Sequence, residues 1–318
     1  MNIVCTGSIA YDYLMSFPGY FKENILPEHL DKITVSFLVD DMIKQRGGTA
    51  PNIAYTLALL GGRPMLMGTA GVDFPEYDEW LKSQGVDTSC VRVIPEKFTA
   101  SFFANTDRAN AQISSFYTGA MACASELSVL DIQPAPGLVI ISPNDPRAMD
   151  KYVMECRNHG IPYLYDPGQQ VVRSDPAELR RGAECAHSLF VNEYEFELLQ
   201  KHTGLSKKAL LSCVELLVVT LGERGAAIYT GDKQYHVPVV PPKQILDPTG
   251  VGDAFRGGFV RGESLGLDWE TCGQMGVLAA TYCLETRGPQ EHSYTPAAFV
   301  ARFRQHFDDR GVLDVLLS

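Results

Sequence analysis

The sequence predicts an α/β protein with a mostly parallel central sheet, helices on both faces and a small β lid. Three observations carry this. From Leu138 onward, short apolar runs of strand length alternate with helical stretches, the pattern of parallel strands joined by right-handed helical crossovers. Phe98–Asn105 and Gln112–Tyr117 alternate in polarity around a polar turn at Asp107–Asn110, which reads as a hairpin. Late in the chain, Asp247–Phe255 places Pro and two glycines ahead of an apolar-periodic helix.

In order, Asn2–Ile9 reads as a short buried strand. Tyr13–Asp41 holds two apolar patches, Leu14–Phe21 and Ile33–Val39, separated by polar and Pro-containing sequence, and looks like an excursion from the main fold. Gly47-Gly48 then opens a helix that has Pro51 near its start, runs through Leu60 and stops at Gly61-Gly62. Met65–Thr69 is a strand and Pro75–Ser83 a helix. Beyond the hairpin come strand Leu138–Ser142, helix Arg147–His159, strand Pro162–Tyr165, helix Ala177–His187, strand Ser188–Val191, helix Glu193–His202 and strand Leu216–Leu221. A second hairpin (Ala226–Tyr229 with Gln234–Val237) precedes helices near Gly250–Gly262 and Trp269–Glu285. The expected organisation is a core of residues 1–13, 41–97 and 119–318 and a lid of 14–40 and 98–118.

Composition narrows the function. The 318 residues carry 27 Lys+Arg against 38 Asp+Glu, a net charge of −11. That argues against nucleic acid and anionic membrane as partners, since both need a positive field. No apolar run approaches the ~18–20 residues of a membrane span. The first residues lack a basic stretch ahead of an apolar one, so no secretory signal is visible. The 8 cysteines are scattered, without C-x-x-C pairs or zinc spacing. A reducing cytoplasm is the expected location.

Asp247-Pro248-Thr249-Gly250-Val251-Gly252-Asp253 is the most informative stretch. Free N–H groups at a helix start attract anions, and glycines let a phosphate approach. A helix-favouring acidic residue would account for Asp253 alone. It does not account for the glycines, nor for Gly257-Gly258 one turn on, which imply close packing or close ligand approach. Walker A and dinucleotide fingerprints are absent.

This stretch resembles the signature of the ribokinase-type (PfkB) kinases of sugars and nucleosides. The resemblance implies Asp253 as the base that activates the acceptor hydroxyl. Gly250, Val251 and Gly252 become an anion hole for the transferred phosphoryl group. Val251 stands where the family usually has Ala; it keeps the N–H and adds bulk. Gly47-Gly48-x-x-x-Asn52 resembles the family's first signature, implying that Gly48 and Asn52 hold sugar hydroxyls. Asn192 with Glu195 is a capping box on residue grounds. It also resembles the Asn-x-x-Glu motif that organises Mg²⁺ and phosphates, with Glu195 on the metal side. Thr220, Leu221, Gly222, Glu223, Arg224 and Gly225 read as a turn between strands and match the family segment lining the ATP site.

A narrower resemblance, to bacterial adenosine kinases of the actinobacterial type, covers nearly the whole chain. It rests on Gly7-Ser8-Ile9-Ala10-x-Asp12, Phe17-Pro18-Gly19, Leu26–Leu30, Val35–Asp41, Gln112–Tyr117, Asn144-Asp145-Pro146, Asp166-Pro167-x-Gln169-Gln170 and Asp247–Arg256. It implies that Ser8, Asp12, Ser36, Gln169 and Gln170 contact the nucleoside. The chemistry agrees: a carboxylate at Asp12, placed at the end of the first strand, accepts two hydrogen bonds from adjacent ribose hydroxyls. Phe102 and Phe116, on the two hairpin arms, are positioned to sandwich a purine, unless both are simply lid core. The expected activity is Mg²⁺-dependent transfer of the ATP γ-phosphoryl to the 5′-hydroxyl of adenosine. A broader nucleoside kinase or a sugar kinase is the alternative, and a non-catalytic nucleoside sensor the different class. Strand edges on the lid need covering, and a homodimer through the lid is the expected cover.

Overall fold

The computed structural model describes residues 1–25 and 34–317. The sequence expectations at Leu26–Leu30 and at Ile33 lie outside that range. Strands are β1 (Ile3–Thr6), β2 (Ala10–Ser16), β3 (Asp41–Gly47), β4 (Met65–Gly71), β5 (Asp87–Ile94), β6 (Ala100–Thr106), β7 (Gln112–Tyr117), β8 (Leu138–Ile141), β9 (Tyr163–Tyr165), β10 (Ser188–Asn192), β11 (Leu216–Thr220), β12 (Ala226–Tyr229) and β13 (Gln234–Val237). Helices are α1 (Phe21–Asn24), α2 (Thr49–Leu59), α3 (Pro75–Ser83), α4 (Pro146–His159), α5 (Pro176–Glu184), α6 (Glu193–Thr203), α7 (Lys207–Leu211), α8 (Val251–Ser264), α9 (Trp269–Leu284) and α10 (Pro296–Phe303).

Among the described residues the strands form a nine-stranded sheet, β13-β12-β11-β10-β9-β8-β1-β4-β5, and a four-stranded sheet, β3-β2-β6-β7. In the large sheet only the β11–β12 and β12–β13 pairings are antiparallel. Its central strands are buried on both faces, so they read as unbroken apolar runs. The side-chain period of two then divides the core. Leu138, Ile140, Leu216 and Val218 pack with Ile53, Phe255, Phe259 and Phe299 from α2, α8 and α10. Val139, Ile141, Leu217 and Val219 pack on the other face with Tyr152, Val153 and Leu199 from α4 and α6.

The Gly257-Gly258 pair is explained by packing. A Cβ on Gly257 would lie 2.9 Å from the Ile53 carbonyl of α2, and one on Gly258 2.7 Å from the Met275 carbonyl of α9. α8, the helix that starts at the glycine-rich loop, is thus clamped between two neighbours.

The small sheet differs from the sequence reading. The expected strand Asn2–Ile9 ends at Thr6, and the chain crosses to the other sheet through Gly7, Ser8 and Ile9. Gly7 sits so close to Ser142 and Thr49 that a Cβ would be 2.2 and 2.6 Å from their hydroxyls. Residues 10–13 and 41–47, which the sequence reading gave to the core, belong to β2 and β3 of the small sheet. β5, an outer strand with four exposed positions of eight, carried no continuous apolar run and was not expected.

Candidate active site

The carboxyl ends of parallel strands are where open α/β sheets bind ligands. Here they deliver Ser8 after β1, Pro143 after β8, and Gln169 and Gln170 after β9, and the start of α8 lies beside them. Above them the small sheet presents Asp12 from β2, Phe102 from β6 and Phe116 from β7. Together with Gly48, Asn52, Gly250 and Asp253 these residues line one cavity of about 690 Å³. That volume lies within the roughly 300–1,000 Å³ usual for small-molecule sites.

Gly250 caps α8 in the left-handed region, at φ 76°. There a Cβ would come within 2.3 Å of Pro289. First-turn amides have no intrahelical carbonyl to meet, and the Val251 N–H makes only a 3.4 Å contact with the Pro248 carbonyl. Asp247 secures the approach, accepting from the N–H groups of Thr249 at 2.9 Å and Gly288 at 3.0 Å. Gly48 caps α2 at φ 94°, where a side chain would strike the Ser8 carbonyl.

Asp253 stands in the first turn of α8. Asn52 donates from Nδ2 to Asp253 Oδ2 at 2.8 Å. Burial pushes the Asp253 carboxyl up to about 6; Arg256 and the Asn52 bond pull it back, and Glu195 adds to the rise. Burial, followed by repulsion from Asp247 and Asp253, lifts Asp12 to about 6 as well. A cleft carboxylate pushed toward neutrality is a candidate base.

Arg256 binds Asp166 through two contacts, Nε to Oδ2 at 2.6 Å and Nη2 donating to Oδ1 at 2.8 Å. Asp166 and Arg256 are both nearly inaccessible. The guanidinium therefore sits behind the start of α8, beside Gly252, and offsets the carboxylates of Asp253, Asp166 and Glu195.

Asp12 corrects the sequence reading. It lies on β2 in the small sheet, with Asp12 Oδ2 against Gly47. Phe102 and Phe116 are direct cross-strand partners, so both project from one face of the hairpin. Ser36 is exposed in irregular chain and is not among the cavity-lining residues. Asn192, Thr220, Leu221, Gly222, Glu223, Arg224 and Gly225 sit at the ends of β10 and β11, outside this cavity. Arg224 pairs there with Glu193. Thr49, Ser114, Ser115, Met121, Val172, Arg173 and Thr249 also line the cavity and were not singled out from the sequence. Sequence pattern alone gives Asp166 no role; its one signal is a lone carboxylate just after the buried strand Tyr163–Tyr165.

The expected capping box is present: Asn192 Oδ1 accepts from the Glu195 N–H at 2.8 Å, and Glu195 Oε2 accepts from the Asn192 N–H at 2.8 Å. Among the described residues the second oxygen of Glu195 accepts no hydrogen bond, and the carboxylate's charge reaches Asp253 and Asp166. Among the described residues no three His, Cys, Asp or Glu side chains are grouped to hold a metal ion. One carboxylate plus substrate phosphates is how Mg²⁺ is usually held, so this donor set fits.

A carboxylate at a glycine-lined helix start, facing a cavity lined from both sheets, is the arrangement of a phosphotransferase acting on an alcohol. Comparison with known proteins agrees: residues 6–296 match the pfkB family carbohydrate kinases, and the chain belongs to that family. The Burkholderia thailandensis nucleoside kinase in complex with inosine is 38% identical with a TM-score of 0.86, covering 96% of this chain and 98% of that one. The Methanocaldococcus jannaschii nucleoside kinase is 29% identical over 96% of this chain and 97% of its own length. A cytidine kinase from Thermococcus kodakarensis is 27% identical over 82% of this chain and 95% of its own. Among the described residues no helix is long and apolar enough to cross a membrane.

Proposed function

We propose that this kinase phosphorylates the 5′-hydroxyl of nucleosides with ATP, and that adenosine and inosine are both acceptors. The observation that carries the reading is the placement of Asp253, bonded to Asn52 and facing a cavity whose opposite wall holds Asp12 and two phenylalanines. Adenosine is the acceptor implied by the sequence resemblance. Inosine is added because a relative 38% identical over nearly the whole chain binds it.

In this reading Asp12 accepts hydrogen bonds from the ribose hydroxyls, Ser8, Gly48 and Asn52 complete the ribose contacts, and Phe102 and Phe116 supply the apolar surface for the base. Gln169 and Gln170 face the nucleoside from the end of β9. Asp253 accepts the 5′-hydroxyl proton as the oxygen attacks the γ-phosphorus and the bond from that phosphorus to the β,γ-bridging oxygen breaks, releasing ADP. The amides at Gly250, Val251 and Gly252 hold the negative charge of the transferring group. The segment Thr220–Gly225 supports the ATP, with Asn192 beside it. When bound, Mg²⁺ neutralises phosphate charge, and Glu195 is the side chain that would hold it through its free oxygen. Positioning and electrostatics supply most of the acceleration in such transfers. A homodimer through the lid rests on β7, an outer strand whose six residues are all exposed; the mass in solution measures it.

The deciding experiment is turnover with ATP across adenosine, inosine, guanosine, cytidine, ribose and fructose. Purine nucleosides are expected to lead in kcat/KM. Turnover of free ribose or fructose above that of every nucleoside would refute the reading.

A further inference from the structure

Four buried groups form one hydrogen-bonded line into the base. The Tyr77 hydroxyl donates to the Gly47 carbonyl at 2.9 Å. Gln290 Nε2 donates to Tyr77 Oη at 2.6 Å and to Asn52 Oδ1 at 2.6 Å. Asn52 Nδ2 donates to Asp253 Oδ2 at 2.8 Å. Tyr77, Gln290 and Asn52 are each at most 5% exposed.

The direction of this line is set at its far end. A backbone carbonyl only accepts, so the single hydroxyl hydrogen of Tyr77 is committed to Gly47 and a lone pair faces Gln290. Gln290 must then present its NH₂, whose two hydrogens go to Tyr77 and Asn52. Asn52 must in turn present its carbonyl to Gln290, which leaves its NH₂ facing Asp253. Among the described residues the carbonyl of Gln290 is buried without a partner. A glutamine kept only for packing or polarity would have that oxygen satisfied. This one is held for its two donors.

We propose that Gln290 is a positioning residue, fixing the Asn52 amide so that a donor and never an acceptor faces the base. This rests on the reading of Asp253 as the base. Were the line reversed, the Asn52 carbonyl would meet the carboxylate, which tolerates that neighbour only when protonated. The line therefore favours the ionised form of Asp253. The remaining Asn52 N–H is free for a substrate hydroxyl. The other groups acting on Asp253 are Arg256 on its own helix, Glu195 on α6, Asp166 after β9, Asp12 on β2 and Cys283 on α9. None of them contacts Gln290 by a hydrogen bond.

The test is the pH profile of kcat/KM for adenosine in wild type, Gln290→Leu, Tyr77→Phe, Tyr55→Phe and Asp253→Asn, with thermal unfolding of each. In Gln290→Leu the acid limb should move up by about one pH unit, which lowers kcat/KM at pH 7 about twofold, because the carboxylate loses a fixed donor. Tyr77→Phe should shift the limb the same way by less, and it decides the matter if Gln290→Leu does not fold. Tyr55→Phe removes a buried hydroxyl that donates to the His292 carbonyl at 2.5 Å. It should lower Tm without moving the limb. An unmoved limb in Gln290→Leu and Tyr77→Phe, or an equal shift in Tyr55→Phe, would overturn the positioning role. Full turnover by Asp253→Asn would overturn the base, and this role with it.

Discussion

Arg256 and Asp166 join the first turns of α8 to the end of β9 by a two-pronged ion pair, 2.6 and 2.8 Å, with both side chains withdrawn from water. Burial lifts the Asp166 carboxyl above its usual range, and the guanidinium opposes the rise. The pair also answers the carboxylates of Asp253, Asp166 and Glu195 gathered around the start of α8, at a site that must receive a triphosphate. A fixed cation behind the helix start lowers the repulsion without occupying the phosphate's place.

Breaking this pair from one side should therefore be severe. Asp166→Leu strands a buried guanidinium, and Arg256→Met strands a buried carboxylate, each at about 3–5 kcal/mol. Chemical denaturation measures both. The double variant should recover most of that stability, yet its activity should still titrate at a higher pH than wild type. Arg256 is the largest influence holding the Asp253 carboxyl down. A double variant with the wild-type acid limb would contradict that electrostatic role.

How much of this was legible in the sequence follows from where the information resides. From Leu138 onward the strands are buried on both faces and helices punctuate them, so runs such as Leu138–Ile141 and Leu216–Thr220 read directly. The small sheet was harder. β3 is exposed or half-exposed over most of its length, so Asp41–Gly47 carries no alternation. Asp12 lies on β2 and not at the end of the first strand, because apolar residues continue from β1 through Tyr11 while the chain changes sheets. Asp253 and the glycines before it are local in sequence and were readable. Gln290 touches Asn52 across 238 residues, and nothing local to Pro289–Glu291 announces it.

Activity should fall on the acid side near pH 6. Asp253 and Asp12 are each pushed up to about 6 and repel one another, so their protons bind as a pair. The base must be ionised to accept a proton, and Asp12 must be ionised to accept two hydroxyl bonds. The log of kcat/KM against pH should thus bend near 6 and approach a slope of two below it. A bend near pH 4 would mean that neither group is perturbed.

Asp253→Asn should separate activity from stability. Loss of a general base typically reduces kcat by about 10²–10⁴-fold. The same change removes a desolvated charge whose folded-state titration lies at about 6 against an ordinary value of 3.8. That raised value costs stability at neutral pH and returns it as the carboxyl takes up a proton below 6. The variant should gain about 2 kcal/mol at pH 8, discounting for the part of Asp253 that meets the cavity, and the gain should vanish by about pH 4. Thermal unfolding at the two pH values measures this.

Phe102→Ala together with Phe116→Ala should raise KM for adenosine about tenfold or more, since each base–aromatic contact contributes about 1–3 kcal/mol, while KM for ATP stays close to wild type. Both rings face the acceptor cavity from β6 and β7. Equal effects on the two substrates would remove the base from this wall.

His292 should set a second, opposite pH dependence. It is buried at 1% exposure, with Nδ1 unpartnered and Nε2 3.3 Å from the Thr56 hydroxyl. Burial alone lowers its titration from 6.5 to about 4. The unfolded chain takes a proton at this residue below 6.5 while the folded one does not, so folding loses stability as the pH falls from 6.5 toward 4. The displacement corresponds to about 3 kcal/mol over that window. Asp253 and Asp12 work the other way in the same window, because each gains a proton more readily when folded. In wild type the slopes partly cancel. In His292→Leu the carboxylates act without opposition, and the variant should become more stable, relative to its own value at pH 7, as the pH falls from 6.5 to 5. A variant whose stability changes over that range just as wild type's does would show that the imidazole is already protonated in the folded chain.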